Sequence, residues 1–335
     1  MKTMMCKRRA VLFLLLLCVA ALSGTGCARS SDPAPGTPAK PAVVNISYST
    51  RPLNVPAAVA LEKHFFEEAF AAEGIAVQWY LLEGPATVEA LAAKSIDIAT
   101  SLNYVSAIVT KAGGNDIKVI ASYNKFPKGI GLLAGTDSGV VTVADLKGKK
   151  VALQKGTMLQ EMLIKALVEA GLNENDVELI SMESADAANA LVQNQVAAAV
   201  LPDPLLTKMI GSQQAKLLRN AEGLILGQAV IAARSDFAAQ YPDVVQKVLE
   251  AEASTLEWID ANTDEALEIM AATNQMELAG VRALYPKFDF TLPIDAGNID
   301  SLKSSAEFLQ AHGFLKPETD TRALIDALVD TSYLK

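Results

Sequence analysis

The residues best placed to do chemistry are hydrogen-bond donors that close a strand or open a helix. Gly156 and Thr157 follow the apolar run Val151-Ala152-Leu153. They precede Met158, Leu159, Met162, Leu163, Ala166, Leu167 and Ala170, which recur at helical spacing as far as Gly171. Thr157 stands three residues before Gln160, the spacing of a capping box. A strand that runs through a glycine turn into a helix N-terminus offers backbone N–H groups and the positive end of a helix dipole, which suits a small anion. The alternative is an ordinary strand–turn–helix joint.

Arg51 ends a second such strand, with Ser49 and Thr50 in the same loop. Its forked donors match a sulfonate, a carboxylate or nitrate; the alternative is a solvated loop arginine. Ser101 and Asn103 end a third strand, where plain turn chemistry is the competing explanation. Asp203, held between Pro202 and Pro204, could bind an amine or only fix a turn. Gln228 lies on a returning strand within reach of the same place. Tyr123, with Tyr48 and Tyr104, could line an apolar wall.

No catalytic set competes with this reading. His64 and His312 fall on separate helices and read as surface residues. No metal-ligand spacing, Ser-His-Asp or Cys-His arrangement, or paired catalytic carboxylates stand out, so neither a metal nor a cofactor is expected. Trp79 and Trp258 read as packing residues.

These donors need a scaffold, and the chain supplies alternating units. Strands are expected over 43–49, 77–82, 96–101, 117–123, 131–134, 151–153, 177–182, 196–201 and within 223–234. Helices are expected over 56–72, 87–94, 106–112, 157–170 and 184–194. From Tyr241 the pattern turns helical, over 242–258, 262–272, 278–284, 299–312 and 322–329. These last segments have no strands left to supply and should pack around the first lobe. The spacing argues for parallel α/β sheets.

A repeat is visible. VQWYLLEGPATVEALAAKSIDIATSLN from Val77 aligns without a gap on VELISMESADAANALVQNQVAAAVLPD from Val177. It shares Val77/Val177, Glu83/Glu183, Ala90/Ala190, Leu91/Leu191 and Ala99/Ala199. The preceding strand–helix units correspond too, so the chain builds one α/β lobe twice. In doubly wound sheets ligands bind beyond the carboxyl ends of the strands, where the donors named above fall.

The 335 residues carry a net charge of −9 and no basic stripe interleaved with aromatics, which excludes a nucleic-acid partner. The acidic balance does not exclude an anionic ligand, because bulk charge is screened beyond roughly 8–10 Å. Lys2, Lys7, Arg8 and Arg9 precede an apolar stretch from Ala10 to Leu22 that is too short for a membrane span. Gly24-Thr25-Gly26-Cys27 follows and resembles the lipobox of bacterial lipoproteins, with Gly24 where Leu is usual. Residues 1–26 then form a signal peptide and Cys27 carries the lipid. Their removal takes away four basic residues and leaves −13. The Ser-, Pro- and Ala-rich segment completes a flexible tether over 27–42.

Taken in order, the lipoprotein signal, ISYSTRPLN, AKSIDIATSL, VTVADLKGKKVALQKGT, and QNQVAAAVLPDP followed by GQAVIAARSDF and YPDVV resemble a substrate-binding protein of a bacterial ABC importer. The family is that of the nitrate, sulfonate and taurine binders with the type II periplasmic-binding fold. Similarity spans Val43 to Ala272. Ala197-Ala198 stand where the family often has Asp-Ala, and the aromatic often found in the Pro202–Pro204 loop is missing.

The resemblance implies lobe one over 43–130 plus 231–335 and lobe two over 131–230, with two hinge crossings and a cleft that closes on a ligand. It also implies a monomer outside the cytoplasm, tethered by lipid, that is not an enzyme. Such a protein hands a small solute to a membrane permease and its ATPase. A sulfonate such as taurine or an alkanesulfonate is the expected ligand. Arg51, Gly156 and Thr157 would hold the anion, and Asp203 would take an amine. Nitrate and a thiamine-pyrimidine precursor remain alternatives. So do a ligand-sensing module and a pyrimidine-synthase-like enzyme, although the Cys-rich motif of such enzymes is missing.

Overall fold

The structure, a computed structural model, describes residues 40–334. Cys27, the signal segment and most of 27–42 lie outside the described residues.

The chain opens with β1 (Val43–Tyr48), α1 (Val55–Lys63), α2 (Phe65–Ala71), β2 (Ala76–Leu81), α3 (Pro85–Ala92), β3 (Ile98–Asn103), α4 (Tyr104–Ala112) and β4 (Ile117–Lys125). Two helices stand where one is expected over 56–72. His64 takes a left-handed conformation, with φ +58°, and turns the chain between them. After β4 the chain crosses into β5 (Ile130–Gly135), β6 (Lys150–Leu153), α5 (Met158–Glu169), β7 (Glu178–Ser181), α6 (Ser184–Val192), β8 (Ala198–Pro202), α7 (Leu205–Gly211) and β9 (Ala215–Asn220). It returns through β10 (Gln228–Arg234) to α8 (Ser235–Gln240), α9 (Pro242–Ala261), α10 (Thr263–Thr273), α11 (Leu278–Leu284), β11 (Asp289–Phe290), α12 (Ala296–Ala311) and α13 (Thr321–Leu328). Sequence periodicity misses α7 and β9. The first is a single short helix, and β9 alternates too little, with most of its residues partly or fully exposed.

The strands form a six-stranded sheet in the order β11-β4-β10-β3-β1-β2 and a five-stranded sheet in the order β7-β6-β8-β5-β9. Leaving β11 aside, the two orders are the same once β1 to β4 are matched with β6 to β9, and β10 with β5. The repeat therefore runs further than the aligned sequence, taking in α4 with α7 and β4 with β9. Its details recur at a spacing of one hundred residues. Lys94 and Asn194 both end their helices with positive φ, at +60° and +55°. Ser95 and Gln195 both donate N–H to the carbonyl of the alanine five residues back, Ala90 and Ala190. In each sheet the antiparallel strand, β10 or β5, is delivered by the crossing chain.

The two crossings run side by side and bond to each other. Phe126 N–H donates to the Leu226 carbonyl at 3.2 Å and Ala221 N–H to that of Pro127 at 3.2 Å. Gly227 adopts φ +56°, and a Cβ there would come within 2.7 Å of Ile130, so the crossing requires glycine.

The C-terminal region does supply strand partners, contrary to the sequence expectation. Asp289 and Phe290 pair with Lys125 and Asn124 at the sheet edge, and Val119 bridges to Val329. The region packs on lobe one, where α12 and α13 both lie against α4, and it also touches the second sheet's elements. Ser305 of α12 donates to Glu161 of α5 at 2.9 Å, and Lys287 reaches Asp203 at 2.7 Å. The residues of α5 from Met158 to Ile164 are all buried as a result. One apolar cluster runs from Met162 and Leu163 to Leu302, Ala306 and Leu309.

Candidate functional site

Because β1, β2 and β3 run parallel, their carboxyl ends gather Ser49, Thr50, Arg51, Glu83, Ser101 and Asn103 at one edge of the first sheet. The loop after β1 is braced from behind. Tyr123 is buried and its hydroxyl donates to Asn54 Oδ1. Asn54 caps α1 by accepting from Ala57 N–H at 3.1 Å, and its amide donates to the Ser49 carbonyl at 2.5 Å. Ser49 N–H donates to Ser101 Oγ at 3.0 Å. Tyr123 therefore supports the loop from the core and does not line a wall. Burial pushes its hydroxyl well above the ordinary range, so it stays a neutral donor.

The donors left over at this edge are specific. Arg51 binds Glu83 Oε2 through Nε at 3.0 Å and Nη2 at 2.8 Å, and its Nη1 has no partner among the described residues. Thr50 Oγ1 also donates to Glu83, at 3.2 Å, while Ser49 Oγ donates to the Arg51 carbonyl. Ser101 accepts the bond from Ser49 N–H, and its own proton has no acceptor among the described residues. Asn103 caps α4 through Oδ1, at 2.9 Å from Val105 N, and its Nδ2 has no partner among the described residues.

At the second sheet the equivalent edge carries Gln154, Gly156, Thr157 and Glu183. The expected capping box takes a different form. Thr157 Oγ1 accepts from Leu159 N–H at 3.2 Å, but the Gln160 side chain accepts from Gly156 N–H at 2.9 Å. Gly156 is thereby spent as a donor, and the Phe314 ring lies against its Cα. The N–H groups of Thr157 and Met158 have no partner among the described residues and head the twelve-residue helix α5. Gln154 donates to Glu183 at 3.0 Å, as Thr50 and Arg51 do to Glu83. The one glutamate identity of the repeat thus marks a brace used in both lobes, a signal present in the alignment and not exploited there.

Asp203 and Gln228 sit deeper. The Asp203 carboxylate is fully buried and committed at both oxygens, to Thr207 N–H at 2.9 Å and to Lys287 Nζ at 2.7 Å. Its place agrees with the turn-fixing alternative. Gln228 Oε1 accepts from Asn298 Nδ2 at 2.8 Å, whereas its Nε2 is buried without a partner among the described residues. An unpaired buried donor is costly unless something accepts from it.

Sequence reading missed Tyr104 as a polar link. The residue after Asn103, it is buried and donates at 2.8 Å to Glu161, one turn beyond Thr157. Glu161 also accepts from Lys165 and Ser305. Burial, then the charge of Glu161, pushes the Tyr104 hydroxyl well above its usual range. This is a direct bond between the elements that carry the two sets of donors. His312 is not a simple surface residue either: it stacks on Phe308 at 4.1 Å and its Nε2 lies 3.1 Å from Glu174. His64 is exposed, Lys155 is exposed, and both tryptophans pack, Trp79 against Phe66 at 4.8 Å and Trp258 against Phe65 at 6.2 Å.

Two sheets of matched strand order with their donors at the carboxyl edges define the periplasmic-binding-protein fold. The alkanesulfonate-binding protein SsuA from Xanthomonas axonopodis pv. citri, solved bound to MOPS, superposes with a TM-score of 0.75 at 25% identity, over 87% of this chain and 99% of that one. The periplasmic aliphatic sulphonate binding protein SsuA from Escherichia coli superposes with a TM-score of 0.76 at 23% identity, over 85% and 92%. The Bacillus subtilis (strain 168) protein named "Putative aliphatic sulfonates-binding protein" is 29% identical over 282 residues, covering 84% of each chain. The model of the NMT1/THI5-like family matches residues 52–266, well over half of the chain, and the protein belongs to that family.

Proposed function

We propose that this protein is the substrate-binding component of an ABC importer and captures a small organic sulfonate between the strand edges of its two lobes. One observation carries the reading. Donors without a partner among the described residues gather there: Arg51 Nη1, the Ser101 hydroxyl, Asn103 Nδ2, the N–H groups of Thr157 and Met158, and Gln228 Nε2 at the crossing. A sulfonate has three acceptor oxygens and one negative charge, and such a set answers it with charge and helix dipole together.

The relatives' names support the same ligand class. The commitment of Asp203 to Lys287 removes Asp203 as the partner of a ligand amine. Ser49 and Thr50 shape the Arg51 loop, Tyr123 supports it, and Gly156 gives the turn its conformation. The protein works outside the cytoplasm, held by a lipid on Cys27, and performs no chemistry on its ligand. No described helix is long and apolar enough to cross a membrane.

Calorimetric titration against ethanesulfonate, longer alkanesulfonates, taurine, nitrate and a hydroxymethylpyrimidine tests the proposal. One-to-one binding of an alkanesulfonate, stronger than that of taurine or nitrate, is the expected result. Binding of the pyrimidine alone would overturn the ligand assignment.

A further inference from the structure

Beside the edge of the first sheet, α9 and the segment 285–290 line an open pocket of about 340 Å³. It shares no residue with the strand-edge site. Leu256 and Ile259 form its apolar side. Three aromatic rings form another, with Tyr285 stacked on Phe290 at 6.0 Å and Phe288 on Phe290 at 5.9 Å. Phe126 continues the stack on Phe288 at 5.2 Å and ties it to the first crossing.

Two carboxylates complete the lining, Asp260 and Asp289. Neither side chain has a hydrogen bond or an ion pair among the described residues, and no lysine or arginine lines the pocket. Their neighbours differ in this. Asp264, one turn beyond Asp260, is held by Arg282 at 2.9 Å, and Lys287 is taken by Asp203. Burial, then the charge of Asp260, pushes the Tyr285 hydroxyl up, as expected for a carboxylate close to the ring.

We propose that this pocket is a second ligand site, one that takes a small organic cation bearing an alkylammonium or quaternary ammonium group. Aromatic rings attract such a cation through their quadrupole, and the two exposed carboxylates supply the opposing charge. The volume lies in the range of small-molecule pockets, roughly 300–1,000 Å³. A bare metal ion fits less well, because among the described residues no group of three or more His, Cys, Asp or Glu is placed to hold one.

Choline chloride titrated into the protein by calorimetry, against sodium chloride at matched ionic strength, tests the site. The expected result is one-to-one binding that weakens at least tenfold in Asp260→Asn/Asp289→Asn and in Tyr285→Leu. Thermal melts establish that each variant is folded. Because the double Asn variant removes charge without removing volume, it keeps the test valid if Tyr285→Leu unfolds. Absence of binding up to roughly 10 mM overturns the proposal. So does choline binding that survives the double Asn substitution, or that magnesium chloride displaces as readily at equal concentration.

Discussion

Glu252 lies on α9 in the core of lobe one, 2% exposed, and its Oε1 has no partner among the described residues. Burial pushes its carboxyl from an ordinary 4.5 up to about 8. In the unfolded chain the group ionises near its ordinary value, whereas the folded protein holds the proton to about 8. The folded state therefore binds more protons across that window, and stability falls as pH rises through it. Integrated over that gap, the contribution lost between pH 5 and pH 7.5 is about 3 kcal/mol. Glu252→Gln keeps the shape of the neutral acid and cannot ionise. It is expected to match the wild type at acid pH and to exceed its stability by this order at pH 7.5. Urea denaturation of both proteins from pH 5 to 8.5 reads the difference directly. Carboxylates held below their ordinary values, such as Asp116 beside Lys111 and Asp145 at its turn, act in the acid range and cancel between the two proteins. Parallel stability curves, or a Gln variant weaker at pH 7.5, would refute the reasoning.

Other perturbations read other parts of the structure. Gly156→Ala forces an L-residue to φ +74° and sets a Cβ 2.9 Å from the Phe314 ring, so a loss of roughly 1–3 kcal/mol in denaturation is expected; adding Phe314→Ala should recover only the steric part. Lys287→Met strands the buried carboxylate of Asp203 and should cost roughly 2–4 kcal/mol, less than a wholly buried pair because Lys287 is partly exposed. An unchanged melting temperature would show that Asp203 finds another partner. Tyr104→Phe removes one of the three donors to Glu161 and should lower stability by about 1–2 kcal/mol. Glu83→Gln releases Arg51 from a charged competitor, and tighter alkanesulfonate binding in calorimetry is the expected outcome.

Much of the scaffold is legible in sequence because its buried elements carry apolar runs or helical apolar periods. Val151 to Leu153 and the apolar series of α5 announce a strand and a helix before any contact is known. The one-hundred-residue repeat is legible for the same reason: Glu83 and Glu183, or Leu91 and Leu191, hold like positions in like units. What escapes is set by contacts distant in sequence. Nothing near Asp203 signals Lys287, eighty-four residues on. Nothing near Gly156 signals that Gln160 will occupy its N–H, since a glutamine at that position serves either partner of a capping box. The short β11 escapes because two residues, Asp289 and Phe290, are too few to show a period, and only their pairing with β4 defines them. Arg51, Ser101, Asn103 and Thr157 can be placed near strand ends from sequence because strand ends can be counted. Whether each donor is free or spent depends on neighbours that the sequence does not place.

The proposed site holds an organic sulfonate on unpaired donors at the two strand edges. Titration of ethanesulfonate into the wild-type protein and Arg51→Ala tests it most directly. A charge-assisted hydrogen bond contributes about 1.5–3 kcal/mol, so affinity should fall roughly 10- to 100-fold in the variant. The melting temperature should hardly change, because the Arg51 side chain is 75% exposed. Equal affinity in the two proteins would contradict the account.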